Sequence, residues 1–168
     1  MRRCLILTLL IIPIFSFSQG KTNNKKINWI SLDKAQEYAT KYNQKILIYF
    51  FKQNCEYCDK MQKETLSDPE IINLINTNFY PVKIDSRTKD TISYNGKEYT
   101  NQQPESSGRH DWRHDFYAEV TSFTRNNTEQ STTPTIVLFN NKFEKLKNLP
   151  GLQSKQLLLR KLKPYVLK

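Results

Sequence analysis

The chain has 168 residues, of which 38% are hydrophobic and 12% aromatic, and its formal net charge is +10. This length suits one domain with a sufficient core, and the composition excludes disordered and collagen-like chains. The lysines and arginines are scattered along the chain, with no long basic run. Because nucleic-acid-binding surfaces show clustered basic residues, we expect no nucleic-acid partner.

The amino terminus is typical of an export signal. Arg2 and Arg3 give a positive start, an almost entirely apolar run extends from Cys4 to Phe17, and Ser18 offers a small residue for cleavage. The run is too short for a comfortable membrane span of about 20 residues. We therefore expect a periplasmic or otherwise exported mature protein without a membrane span; a retained amino-terminal anchor is the alternative. The predicted segments are a signal peptide (1–18), a flexible lead-in (19–27) and a single domain (28–168).

Hydrophobic periodicity predicts alternating helices and strands after the lead-in. In chain order these are a helix at 32–43, a strand at 45–51, a helix at 55–66, a helix starting at 67–70, a strand at 79–85, a hairpin at 91–100, a helix at 109–124, a strand at 135–139, an edge strand at 142–148 and a helix at 152–165. The third helix starts at a capping residue followed by Pro69, and Asn95-Gly96 is a strong hairpin turn signal. In the helix at 109–124, the apolar stripe consists of Trp112, Phe116, Val120 and Phe123. This order indicates an α/β sandwich with a small mixed sheet.

Removal of residues 1–18 leaves only two cysteines, Cys55 and Cys58. A C-x-x-C pair closes a very small loop, so its disulfide would stabilise the fold little through chain entropy. Structural disulfide frameworks usually use several well-separated cysteines. The spacing therefore favours reversible redox chemistry or half of a metal site.

Three motifs carry a family resemblance. The segment Cys55-Glu56-Tyr57-Cys58, directly after the apolar strand, resembles the thioredoxin active site. Thr133-Pro134 resembles the cis-proline loop of that family, and Pro150-Gly151 resembles the turn before its last helix. The chain is thus similar to the thioredoxin-like family over 28–168. The resemblance implies a thioredoxin-like fold, a central mixed β-sheet flanked by helices, with a hairpin and a helix inserted at about 86–130 before the cis-proline loop.

The resemblance also implies roles for individual residues. Cys55 and Cys58 would form the catalytic, redox-active disulfide of a thiol–disulfide oxidoreductase, with Thr133 binding the substrate main chain and Pro134 in the cis form. At a helix amino terminus, free N–H groups favour a negative sulfur, so Cys55 is expected to be the exposed nucleophile and Cys58 the resolving thiol. The expected partners are cysteine-containing protein substrates and a redox partner protein. We expect a monomer without cofactor or resident metal.

The sequence departs from the family pattern at several positions. The tryptophan that the family has before the first cysteine is Asn54, and the lysine it often has after the second is Asp59. The buried acid of the preceding strand corresponds to Tyr49. These departures argue against the housekeeping role of thioredoxin itself. The insertion at 86–130 is expected to be a lid or a partner surface outside the central sheet.

The charge between the cysteines bears on the redox direction. Glu56 should disfavour the Cys55 thiolate, and a less stable thiolate makes the couple less oxidising. This weakly favours a reductant, although Lys52 and Lys60 could offset the effect.

Two metal-binding interpretations compete with redox catalysis. Cys55, Cys58 and Met61 are soft ligands that could carry copper(I), although a methionine here is more often a core residue. His110 and His114 stand four residues apart, a spacing that can bind zinc, but a solvated helix face is the expected arrangement. A third hypothesis is a binding module in which the cysteine pair is only a structural clip.

Overall fold

The computed structural model describes residues 25–101, 113–125 and 128–166. The helices are α1 (Leu32–Tyr42), α2 (Glu56–Glu64), α3 (Pro69–Asn78), α4 (Asp115–Thr121) and α5 (Lys155–Leu162), and a 3-10 helix follows at Lys163–Tyr165. The strands are β1 (Lys45–Phe51), β2 (Phe79–Asp85), β3 (Ile92–Tyr94), β4 (Lys97–Tyr99), β5 (Phe123–Arg125), β6 (Thr128–Gln130), β7 (Thr135–Phe139) and β8 (Lys145–Pro150).

A four-stranded mixed sheet with the order β2-β1-β7-β8 forms the centre of the fold. β1 and β2 are parallel, whereas β7 is antiparallel to both β1 and β8. A parallel pair needs a crossover connection, which α2 and α3 supply. The two central strands, β1 and β7, are buried on both faces, and this explains their nearly continuous apolar sequences. The predicted central mixed sheet flanked by helices is confirmed.

Helices α2, α3 and α5 cover one side of the sheet, which we call the cysteine face because α2 begins at Cys55. The buried side chains of these helices and of the turn after α2 are mainly aliphatic: Met61, Leu66, Ile71, Ile72, Ile75, Leu158 and Leu162. Lys155 joins the starts of α5 and α3, because its Nζ lies 3.0 Å from a carboxylate oxygen of Asp68 and 3.0 Å from one of Glu70. Ile27, which the sequence placed in the lead-in, is also buried in this cluster.

Helices α1 and α4 and the β3–β4 hairpin cover the opposite side, which we call the hairpin face. Asn95 and Gly96 both have positive φ, at 51° and 74°, as a two-residue hairpin turn requires. Phe116 of α4 packs between rings of the hairpin, with its centroid 4.9 Å from that of Tyr94 and 5.2 Å from that of Tyr99. The predicted hairpin is confirmed, and within the described residues no strand of the insertion joins the central sheet.

The helix predicted at 109–124 is wrong at its carboxyl end. α4 ends at Thr121, Ser122 leaves the helical conformation, and Phe123 pairs with Gln130 in a short strand. The run of β-branched and aromatic residues after Val120 favours strand geometry once a partner strand is available. Of the predicted apolar stripe, Phe116 and Val120 are buried, and Trp112 lies outside the described residues.

The last two predicted elements differ in their bounds. The edge strand predicted at 142–148 begins only at Lys145, because the Asn140 side chain accepts from the N–H groups of Lys142 and Glu144 and holds a turn. The helix predicted at 152–165 begins at Lys155, after its cap Ser154, and ends as an α-helix at Leu162. The last predicted turn, which contains Pro164, is a 3-10 helix.

Several predictions concern residues outside the described ranges. They are the signal peptide (1–18), the first part of the lead-in (19–24), His110 and Trp112. Among the residues that the structure describes, no helix is long and apolar enough to cross a membrane.

Candidate active site

Cys55 and Cys58 form a disulfide at the amino terminus of α2, with their Cα atoms 5.2 Å apart. Cys55 is the N-cap of the helix, and its Sγ accepts a hydrogen bond from the Cys58 N–H at 3.2 Å. After reduction, the same donors and the helix dipole would stabilise a thiolate on Cys55. The geometry therefore favours Cys55 as the better nucleophile of the pair.

Exposure does not separate the two cysteines, contrary to the expectation of an exposed Cys55. The exposed fraction is 5% for Cys55 and 3% for Cys58. In the oxidised state the Cys55 sulfur is bonded to the other sulfur and lies 3.9 Å from the carbonyl oxygen of Thr133. What distinguishes Cys55 is its position at the helix cap and beside the Thr133 loop.

The Thr133–Pro134 peptide bond is cis, as the resemblance implies. Pro134 is buried, and its carbonyl accepts a hydrogen bond from the N–H of Gly151 at 2.8 Å. Gly151 has a φ of 78°, a conformation that glycine adopts without strain. The loop before β7 is thus attached to the turn after β8, and it presents the backbone of Thr133 to the disulfide.

Tyr49 lies beneath the site, in the central strand β1. The side chain is fully buried, and its hydroxyl donates to the carbonyl oxygen of Cys58 at 3.3 Å. Burial raises the pKa of Tyr49 well above its ordinary value, and the negative charge of Asp59 raises it further. The phenol therefore stays neutral, and at this position it supplies a hydrogen-bond donor to the first turn of α2 in place of a buried acid.

Comparison with known proteins agrees with this fold. The sequence matches the family of thioredoxin-like domains over residues 32–165. The chain belongs to this family.

Two solved structures are similar to this thioredoxin-like chain. One is a DsbH oxidoreductase, with 18% identity, a TM-score of 0.58 and coverage of 85% of this chain and 86% of that chain. The other is the solution structure of a thioredoxin from Thermus thermophilus, with 19% identity, a TM-score of 0.52 and coverage of 83% and 86%. Both similarities show the fold. Among curated proteins, no sequence matches.

Met61 is a core residue of this thioredoxin-like domain. Its side chain is fully buried in the hydrophobic core of the cysteine face. Within residues 25–101, 113–125 and 128–166, no three His, Cys, Asp or Glu side chains are grouped so that they could hold a metal ion. The core position of Met61 is the one that the sequence analysis gives as more usual for a methionine here.

The sequence predicted that His114 lies on a solvated helix face. This prediction is wrong, because the His114 side chain is fully buried. The helix begins only after it, so His114 is the N-cap of α4, and its Nδ1 accepts from the Phe116 N–H at 3.2 Å. Its Nε2 lies 3.0 Å from the carbonyl oxygen of Asp90 and donates to it. The pKa of His114 is lowered, because the effect of burial is larger than the opposite effects of the Asp90 hydrogen bond and of the Asp115 and Asp90 charges. A neutral His114 thus fastens α4 to the segment before the hairpin.

The first residue of the inserted segment, Ser86, and the residue before α4, His114, lie beside the end of β1 that leads to the cysteine loop. The Ser86 N–H donates to the Phe51 carbonyl at 2.7 Å, and the Ser86 carbonyl accepts from the His114 N–H at 2.8 Å. Phe51 ends β1 just before the loop that carries Cys55. Sequence reasoning missed this arrangement because the hydrogen bonds join residues far apart in the chain, and no local pattern signals them.

Proposed function

We propose that the protein is an exported thiol–disulfide oxidoreductase that reduces disulfides of protein substrates through Cys55 and Cys58. The observation that carries this proposal is the disulfide at the start of α2, with the Cys55 Sγ 3.9 Å from the carbonyl of Thr133. Membership of the thioredoxin-like family supports the same chemistry.

The proposed cycle begins with both cysteines reduced. The Cys55 thiolate attacks one sulfur of the substrate disulfide, forms a mixed disulfide and releases the other substrate sulfur as a thiolate. Cys58 then loses its proton and attacks the Cys55 sulfur, which releases the second substrate thiolate. The substrate gains two electrons, and the enzyme is left with the Cys55–Cys58 disulfide. A dithiol redox partner protein would return two electrons and restore the cycle.

The cis-proline loop is the proposed site for the substrate main chain. A chain bound covalently to Cys55 would lie against the backbone of Thr133, because that carbonyl is in contact with the Cys55 sulfur. Pro134 would hold the loop in the shape that leaves Thr133 accessible. Thr133 is partly exposed, which supports this role.

Export and redox direction complete the proposal. Export rests on the signal-like segment at 1–18, and a reducing direction rests on the negative charge of Glu56, which is exposed beside Cys55. Mass spectrometry of the native protein should find Gln19 first; retention of Met1 would contradict cleavage. Titration of the cysteine couple against glutathione should give a potential below that of glutathione if the protein is a reductant.

The central experiment measures reduction of insulin by the reduced protein. The wild type should catalyse the reaction, and Cys55→Ser should not. If the wild type has no activity and instead binds one copper(I) ion tightly, the metal-carrier alternative replaces the proposal. If it does neither, the cysteine pair is a structural clip.

A further inference from the structure

Three basic residues lie on adjoining backbone segments beside the disulfide. Lys52 lies in the loop that leads to Cys55, Arg87 follows Ser86, and Arg113 directly precedes α4 and its cap. The Ser86 hydrogen bonds described above hold these three segments side by side. The fold therefore gathers three positive charges that are far apart in the sequence.

The charges are close enough to influence one another. Burial lowers the pKa of Lys52, and the positive charges of Arg113 and Arg87 lower it further. Exposed charges interact appreciably only within about 10 Å at ordinary salt concentrations. The Arg113 guanidinium also lies 6.0 Å from the centre of the Tyr117 ring, which anchors it to the hairpin face.

Two of these cations, Lys52 and Arg87, have little compensation from the protein. Within the described ranges, neither Lys52 nor Arg87 forms an ion pair with a carboxylate, and the buried Nε of Arg87 has no hydrogen-bond partner. The nearby Asp85 carboxylate accepts the main-chain N–H of Arg87. Like charges held close to one another repel, so an incoming carboxylate would be favoured beside Lys52 and Arg87.

We infer that Lys52, Arg87 and Arg113 form a docking surface for acidic residues that flank the reacting cysteine of a protein substrate. This inference rests on the proposed function and names its substrate class. A substrate bound at Cys55 brings its neighbouring residues to the cysteine loop, next to the segments that carry the cations. Arginine binds carboxylates through paired hydrogen bonds, and rim charges act mainly on the rate of association.

The test compares three disulfide peptides that differ only in the residues flanking the cysteine: two Asp, two Asn or two Lys. Stopped-flow kinetics gives the second-order rate constant for the reaction of the reduced protein with each peptide. Each of these constants is divided by the rate constant for the reaction of the same peptide with dithiothreitol, which removes differences in the intrinsic reactivity of the peptides. We expect the acidic peptide to react about tenfold faster than the neutral one at low salt. The advantage should largely disappear at about 0.5 M NaCl, because salt screens exposed charges.

Matched variants locate the effect. Arg87→Gln and Lys52→Gln should each reduce the ratio of acidic to neutral rates severalfold; because it is a ratio, any change in the reactivity of Cys55 itself cancels. Lys41→Gln is the control, because Lys41 is an exposed lysine near the end of α1, at the opposite end of β1 from the cysteines, and the ratio should not change. If Arg87→Gln does not fold, Lys52→Gln and the salt titration of the wild type still decide the question.

The outcomes separate this inference from the proposed function. Equal rates for the three peptides, a preference for the basic peptide, or a ratio that persists in both variants would overturn the inference and leave the oxidoreductase intact. Failure of the wild type to react with any peptide would overturn the proposed function itself.

Discussion

The two faces of the central sheet are built from different side chains. On the cysteine face, aliphatic residues of α2, α3 and α5 pack against the strands, and the disulfide lies at the rim of that core. On the hairpin face, rings of the hairpin, α4 and β1 pack together, with Phe116 surrounded by Tyr94, Tyr99 and Phe50 at centroid distances of 4.9, 5.2 and 5.9 Å. Reactive chemistry is thus placed on one face, and the other is held by an aromatic cluster.

The aromatic cluster also needs polar partners, unlike the aliphatic one. The Tyr99 hydroxyl donates to Glu119 at 2.8 Å, and Lys97 donates to the same carboxylate at 2.7 Å. The Tyr94 hydroxyl donates to the carbonyl of Phe143 at 3.3 Å. Because buried hydroxyl groups require hydrogen bonds, these tyrosines join the hairpin to α4 and to the turn before β8. Variants on the two faces should therefore affect different properties.

The largest expected effect is loss of activity on the cysteine face. Cys55→Ser should abolish measurable insulin reduction, since it removes the attacking sulfur, but lower stability little, because the disulfide loop is so small. Cys58→Ser is the matched control: it should accumulate covalent adducts with partner proteins that a strong reductant releases. Equal trapping by both variants, after thiol blocking and mass spectrometry, would contradict the assigned order of attack.

The next largest effect concerns stability on the hairpin face. Phe116→Ala should lower the free energy of unfolding by about 3–5 kcal/mol, because it leaves a cavity among packed rings. Urea denaturation measures this change, and Phe116→Leu should cost less because it retains more of the buried volume. Insulin reduction per folded molecule should be retained. A loss below about 1 kcal/mol would show that the cluster can collapse around the missing ring.

A smaller effect should depend on pH through His114. Its folded-state pKa is lowered by burial, so the unfolded chain binds the proton more tightly. The stabilising contribution is complete above the unfolded pKa of about 6.5 and is lost as the pH falls from there through the folded-state pKa. Urea denaturation at a series of pH values should show this slope for the wild type and less of it for His114→Asn. If His114→Asn leaves the pH dependence of the unfolding free energy unchanged, that dependence belongs to other groups, among them His110, the other histidine of the chain.

The smallest effect is expected beneath the disulfide. Tyr49→Phe removes one hydrogen bond to the Cys58 carbonyl and should lower the free energy of unfolding by about 1 kcal/mol. The pH profile of insulin reduction should not move, because the phenol stays protonated near neutral pH. A shifted profile would instead make Tyr49 part of the proton transfer to or from Cys58.

Much of the fold could be predicted because its signals are local. Asp68 and Pro69 mark the start of α3, Asn95-Gly96 marks the hairpin, and the apolar runs mark β1 and β7. Each signal acts through a cap, a turn or an apolar run within a few residues. The cysteine pair was equally visible, because helical spacing alone brings the two sulfurs to one side.

Only the tertiary structure decided the features that depend on distant partners. His114 became a buried cap because the chain between residues 86 and 90 packs against it, and Phe123 became part of a strand because Thr128–Gln130 pairs with it. Lys52, Arg87 and Arg113 are separate points in the sequence until the Ser86 hydrogen bonds bring their segments together. Helical and strand patterns report which face a residue occupies on its own element, whereas the identity of its neighbours follows from how the elements pack.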